Sequence, residues 1–431
     1  MKRKHIVWIA VCFALVLAAC QIQARQPVTL RLGLFAGSSW DVPGSRASQV
    51  LEEAIARFEK NHPGGQVEYQ SGIRRAEYSD WLFDQLAEGT EPDLFLIPSE
   101  DLDALHSLHA LMDLTCFTRT DPGFSAAAFY PTLYEAGQFD GRQYALPYEC
   151  DPTFMFVNRT LLEKEKIDLP ASEWTIDDFF AICQRVTKDT DGDGQPDQFG
   201  ALNYTWTDIL HTASHAVFDA AGTSCDVSSA QVAEAVAFQK KLQDLSGSIR
   251  VSSREFDAGH VAFAPMKLSA YRTYKPYPWK IKKYSTFEWD CVRMPALSGE
   301  QGVTDVSLMS MGISARSPHG ALAWSLLSEL CVSEETQQAL SMASQGISPL
   351  VSVARSEAVR SSLQEEAGDS SVNLDLLEEM LESIWYTPRF QKYEAAMSLL
   401  DSGISAGLEN GEDPGQFLPE LQQQVDLFLT Q

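Results

Sequence analysis

Residues 144–158 read YALPYECDPTFMFVN. Pro147 and Pro152 rule out a helix here, because proline lacks an amide hydrogen and pushes the residue before it into extended backbone. The run Phe154-Met155-Phe156-Val157 has the composition of a buried strand, and RTLLEKEKI after it changes to helical spacing. Residues 141–167 therefore read as an extended crossing, a strand and then a helix. Polar residues within the crossing, Tyr148, Glu149 and Asp151, raise the question of what they face.

The segment before the crossing alternates strand and helix. VTLRLGLFAG (28–37) is strand-like, and SQVLEEAIARFEKNHPGG gathers Val50, Leu51, Ile55 and Phe58 on one helical face before Pro63 and two glycines end it. QVEYQ is a second strand. YSDWLFDQLAEG is a helix with Trp81, Leu82, Gln85 and Leu86 along one side, and PDLFLIP (92–98) is a continuous apolar run of the kind buried in a parallel sheet. The order β-α-β-α-β predicts an α/β fold with a mostly parallel sheet flanked by helices. After the crossing, helices dominate to about residue 300, with strands at HVAFAPM and FEWDCVRMP; a further strand, DVSLMSMGISA, spans 305–315, and the rest is helical.

The N-terminus has a basic start (Lys2, Arg3, Lys4) and an apolar run from Ile6 to Ala19 that ends at Cys20. About 14 apolar residues fall short of the roughly 20 that span a bilayer, so this is a secretory signal. Leu17-Ala18-Ala19-Cys20 resembles a bacterial lipobox, which implies cleavage after residue 19, a lipid on Cys20, and a tether over 20–27. Two acyl chains suffice for stable anchoring where one does not. The remaining chain of about 412 residues is long enough for two domains. The whole 431-residue chain has 33 basic and 59 acidic residues, a net −26, and such a charge repels nucleic acid and anionic lipid. Beyond Cys12 and Cys20, six cysteines remain, none spaced as a zinc or redox motif, leaving disulfides or buried thiols open.

DTDGDGQPDQFG (189–200) puts Asp189, Asp191 and Asp193 at alternate positions, Gly194 at the sharp turn and Asp197 at the ninth place of an EF-hand-like loop, with the Gln195 carbonyl as a further oxygen. Oxygen ligands on a tight turn suit calcium; Gly200 stands where the bidentate glutamate would be. Aromatic residues accompany carboxylates and turns, Trp40 with Asp41, Tyr148 with Asp151, and Tyr204 with Trp206, and polar Ser99 and Glu100 follow the PDLFLIP run. Sugars present flat C–H faces that stack on rings and hydroxyls that bond to carboxylates. YRTYKPYPWKIKKY (271–284) sets five basic residues among aromatics, with Trp279 a candidate stacking ring. His211 and His215, and His106 and His109, lack the partners of a zinc protease, and no Gly-x-Ser-x-Gly elbow or phosphate loop occurs.

Taken in order, the lipobox, the β-α-β-α-β start, PDLFLIPSEDL, YALPYECDPTFMFVN, FDAGHVAFAPM, FEWDCVRMPALSGEQG and MGISARSPHGALAWSLLSEL resemble the extracellular solute-binding lipoproteins of ABC importers, in the large maltose-binding-like class. The resemblance implies two α/β lobes joined by a multi-strand hinge with ligand in the cleft between them: residues 28–147 with 305–355, and 148–304 with 356–431. It implies that Trp40, Asp41, Ser99, Glu100, Tyr148 and Asp151 reach that cleft, that the region of Trp385 adds an aromatic, and that a calcium site would be structural. The expected protein is a monomeric, lipid-anchored receptor without enzymatic activity, outside the cell, that passes a sugar or oligosaccharide to a membrane permease. A binding protein for a polyamine, peptide or metal, or a lipoprotein glycosidase, is the alternative.

Overall fold

The computed structural model describes residues 27–40, 46–70, 72–171, 173–219, 221–247, 249–273, 287–297, 303–367, 374–387, 390 and 392–431. Cys20, Asp41 and Trp279 lie outside these residues, as does most of the 271–284 stretch.

Eleven strands are described: β1 Val28–Gly33, β2 Gly65–Tyr69, β3 Leu94–Pro98, β4 Gln138–Phe139, β5 Arg142–Gln143, β6 Ala145–Asn158, β7 Phe199–Ala201, β8 Val261–Lys267, β9 Trp289–Val292, β10 Thr304–Ile313 and β11 Ile384–Trp385. Nine form one sheet in the order β2-β1-β3-β10-β6-β8-β7, with β11 beside β10 and β9 beside β6, while β4 and β5 pair separately. The outer strands are parallel (β1 with β2 and β3, β7 with β8), whereas β6 and β10 run antiparallel to each other and to their other principal neighbours.

The crossing read from the sequence is one 14-residue strand, and it belongs to both halves of the sheet. Residues 145–152 of β6 pair with β10, whereas 153–157 pair with β8. Pro147 is accommodated at a bulge: Glu149 faces Met309 and Pro147 faces Ser310, so Tyr148 is the extra residue. β10 likewise pairs with β3 through 309–313 and with β11 through 304–305. Two long strands thus tie an N-terminal β2-β1-β3 half to a β8-β7 half.

Separate cores follow from this division. One lies against the β2-β1-β3 half and includes Leu30, Phe58, Tyr78 and Trp324. Helix Ala47–Asn61 reaches it with the face anticipated from its spacing, Val50, Leu51, Ile55 and Phe58. A second collects Met155, Phe179, Trp206, Phe263 and the C-terminal helices through Val425, and a third takes up Phe154, Phe156, Phe129 and Leu377. Met155 and Phe156 belong to different cores because successive strand residues point to opposite faces. Five of the six described cysteines are buried free thiols, and the sixth, Cys116, is exposed. Among the described residues no helix is long and apolar enough to cross a membrane.

Candidate functional site

The register of the strands locates a cleft. β1 and β3 end at Gly33 and Pro98, and Pro98 pairs with Met309. From the other half, β8 ends at Lys267, which pairs with Thr153, and β7 runs parallel to it. The carboxyl ends of both sets of parallel strands therefore point toward residues 149–153 of β6 and 305–309 of β10. Loops at the carboxyl ends of strands are where open α/β sheets bind ligands.

On the N-terminal side, Trp40 follows β1, and Ser99 and Glu100 follow β3. Trp40 is half-buried, and its backbone amide donates to Ser38 Oγ at 3.1 Å. Glu100 accepts from Arg75 Nη2 at 2.6 Å, and the Arg75 guanidinium lies 5.4 Å from the Phe35 ring centre. Ser99 is a structural tie: its hydroxyl donates to the Leu308 carbonyl at 2.6 Å and accepts from the Leu308 amide at 3.1 Å.

In the crossing, Asp151 is fully buried and accepts from the Ser269 amide at 2.8 Å and hydroxyl at 2.6 Å. Burial pushes its carboxyl up to about 7; the Ser269 bonds and Lys267 pull the other way. Tyr148 does not share this face. Its ring lies in the N-terminal core, 7 % exposed, because alternation directs Glu149 and Asp151 one way and their neighbours the other. The bulge at Tyr148 hides from the sequence that Glu149, and not Tyr148, shares the face of Asp151. Glu149 is 1 % exposed and accepts from the Gly346 amide at 2.9 Å.

On the far side, two anticipated aromatics prove to be core residues. Tyr204 packs 4.6 Å from Phe179, and Trp206 is 1 % exposed with its Nε1 donating to Asp401 at 3.0 Å. The helix Trp206–Thr212 begins at this point, and its first turn is turned inward. Trp385 remains half-buried, 5.4 Å from the His211 ring, and the two line a cavity of about 130 Å³ with Phe218 and Tyr393. His211 Nδ1 is 3.8 Å from Asp305, and Asp305 pairs with Trp385 across β10 and β11. Asp305 is two residues from Ser307, the partner of Asp151, or about 7 Å at strand rise. Sequence spacing gave no sign of His211 here, since its neighbours Asp305 and Trp385 are remote in the chain.

The acidic loop forms as its spacing implies. Ligand oxygens of Asp189, Asp191 and Asp193 lie within 4.8 Å of one another, a separation that ligands 2.3–2.6 Å from one calcium ion can span. Asp189 accepts from the amides of Gly194 at 2.8 Å and Gly192 at 2.6 Å, and these bonds hold its carboxyl below the usual range. Both glycines have positive φ, 91° and 84°, which favours glycine there. Asp197 instead accepts from Thr190, at 3.0 Å from the amide and 2.7 Å from the hydroxyl, and Gln195 donates its amide to Asp193 at 2.8 Å.

Two sheet halves sharing two through-running strands, with a cleft at their strand ends, define a two-lobed binding protein. The chain belongs to the family of bacterial extracellular solute-binding proteins, whose model matches residues 53–364. Among solved structures it is similar to an ABC substrate-binding protein of Listeria monocytogenes in complex with cycloalternan: 18 % identity, TM-score 0.70, covering 94 % of this chain and 100 % of that one. It is also similar to the sugar-binding protein MalE of Xanthomonas citri (17 %, 0.75, 94 % and 98 %) and to a cyclic alpha-maltosyl-1,6-maltose binding protein of Arthrobacter globiformis (16 %, 0.75, 94 % and 99 %). At these identities the likeness establishes the fold. No curated protein matches the chain in sequence.

Proposed function

We propose that this protein is the substrate-binding receptor of an ABC importer, capturing a sugar or oligosaccharide outside the cell and presenting it to a membrane permease without chemical change. The observation that supports this reading is the convergence of the strand ends on residues 149–153 and 305–309; in this reading Trp40 and Glu100 line one side of the cleft, Trp385 and His211 the other, and Glu149 and Asp151 lie in its floor. Rings to stack on sugar faces and carboxylates to meet hydroxyls are the two needs of a carbohydrate ligand. Similar structures, one in complex with cycloalternan and one a cyclic alpha-maltosyl-1,6-maltose binding protein, support the same class.

Several further features belong to the reading. The lobes comprise 28–147 with 305–355 and 148–304 with 356–431, and the protein is a monomer. The signal ends at Ala19, and a lipid on Cys20 holds it to the membrane. A calcium ion bound by Asp189, Asp191 and Asp193 staples a loop remote from the cleft.

Calorimetric titration with linear and cyclic glucooligosaccharides, spermidine and short peptides tests the function. Saturable binding of a glucooligosaccharide alone is the expected result. Binding of spermidine or a peptide with no response to any sugar overturns it, and turnover of a chromogenic glycoside would replace it with the glycosidase.

A further inference from the structure

Glu149 has two carboxylate oxygens in different circumstances. Oε1 accepts from the Gly346 amide at 2.9 Å and from the Ser344 hydroxyl. Oε2 is sealed from solvent and has no hydrogen-bond partner among the described residues. Trp40, arriving from the loop after β1, holds its indole Nε1–H in the same condition. The two side chains crowd the space where a Cβ on Gly346 would stand. A Cβ built on Gly346 would stand 2.4 Å from Glu149 Oε1 and 2.5 Å from Trp40 Nε1, so only glycine permits this approach.

A buried donor and a buried acceptor, both beside Gly346 and both unpaired among the described residues, cost free energy in this arrangement of the halves. A ligand admitted as the cleft opens can remove that cost, and its chemistry is restricted. A hydroxyl donates to the carboxylate oxygen and accepts from the indole N–H at once. An ammonium has only donors and leaves the indole unmatched. A carboxylate or phosphate has only acceptors and opposes Glu149.

We propose that Glu149 and Trp40 are the pair that sets ligand class, selecting a neutral polyhydroxyl ligand through one hydroxyl held between them; this rests on the receptor reading above. The same carboxylate is wired to both halves. Ser38 Oγ donates to Gln345 at 3.1 Å, and Cys150 and Ile347 exchange two backbone bonds of 2.9 Å. Arg272, just after β8, donates Nη1 to the Gly346 carbonyl at 2.7 Å. A hydroxyl on Oε2 is therefore one carboxylate away from a segment gripped by both halves.

The test is calorimetry on the purified full chain with maltotetraose, a cyclic glucan, a galacturonate oligomer and spermidine, using Glu149→Gln and Trp40→Phe. Each variant is expected to bind the neutral sugar about 10-fold more weakly, which is about 1.4 kcal/mol. The double variant should lose less than the product of the two, because the partners share one hydroxyl. Ligand-free melting temperatures should not fall by more than about 2 °C, since no protein–protein bond to Oε2 or Nε1 is lost and an unpaired buried group is removed. Unchanged sugar affinity in both variants overturns the pair and leaves the receptor reading standing. Weaker binding matched by an equal loss of thermal stability in both assigns them a structural role and also overturns it. A parent protein that takes spermidine or galacturonate and no neutral sugar overturns both proposals.

Discussion

At the scale of single residues, the crossing strand separates what the sequence could reveal from what it could not. The PYECD stretch was legible as a polar interruption, but its active face depends on strand parity, and the bulge at Tyr148 obscures parity in the sequence. Asp151 is buried against Ser269, and its burial has a measurable consequence. Its carboxyl is pushed up to about 7, against 3.8 for an ordinary aspartate. Between these values the folded chain holds a proton that the unfolded chain has released, so this residue makes stability fall as pH rises from about 4 to 7 and then level off. Asp151→Asn should remove that component and stabilise the ligand-free protein at pH 7.5 by roughly 1–3 kcal/mol. Melting curves of the two proteins across pH 4–8 test this; parallel curves would refute it. Asp101, Asp103 and Asp208 are also pushed up, to about 6, so only the difference between parent and variant isolates Asp151. Trp206 gives the converse case. Aromatic content beside a turn suggested a ligand contact, yet the ring is in the core with its N–H on Asp401. Trp206→Phe should cost about 2–4 kcal/mol in a urea melt, through the void and the lost partner of Asp401, and leave sugar affinity within about 2-fold. A large affinity loss with intact stability would return Trp206 to the cleft.

Whole elements were easier to read, because helix faces and strand runs are local signals. The face Val50, Leu51, Ile55 and Phe58 and the run Leu94–Pro98 are buried as their periodicity implies. The acidic loop is equally local. Its alternating aspartates and two positive-φ glycines lie within six residues, so spacing alone outlined the turn. The position of Asp197 was not legible, because Thr190 competes for its carboxylate. If the loop holds calcium, chelator should lower the melting temperature by several degrees, since an ion bound only by the folded state stabilises it by mass action. Asp191→Asn should lower the parent's melting temperature and abolish the response to chelator. Identical melts with and without chelator, together with no calcium in the purified protein by elemental analysis, would remove the site.

At the scale of the molecule, order along the chain carried the class, and long-range pairing kept the site out of view. The bonds that build the cleft floor join residues far apart: Ser99 to Leu308 across 209 positions, Glu149 to Gly346 across 197, and Ser38 to Gln345 across 307. No local window of sequence contains both members of such a pair. The same pairing dictates how the molecule should respond to ligand. Among the described residues, β6, β10 and the Ser344–Ile347 segment pass through the floor, with one core on the β2-β1-β3 side, a second on the β8-β7 side and a third built around β6 and β10 themselves, so relative motion of the halves can leave the two outer cores intact. A ligand bonded from both sides favours the closed arrangement by its differential contacts, and moving a population from mostly open to mostly closed requires about 5 kcal/mol of such preference. Sugar at about 100 times its dissociation constant should add about 2.7 kcal/mol to stability. In the same titration the radius of gyration from X-ray scattering should fall, and fluorescence should change as Trp40 and Trp385 lose water from opposite walls. Should calorimetry report binding while scattering and fluorescence remain constant, the ligand is held by one half alone, and the two through-running strands would be a rigid splice instead of a hinge.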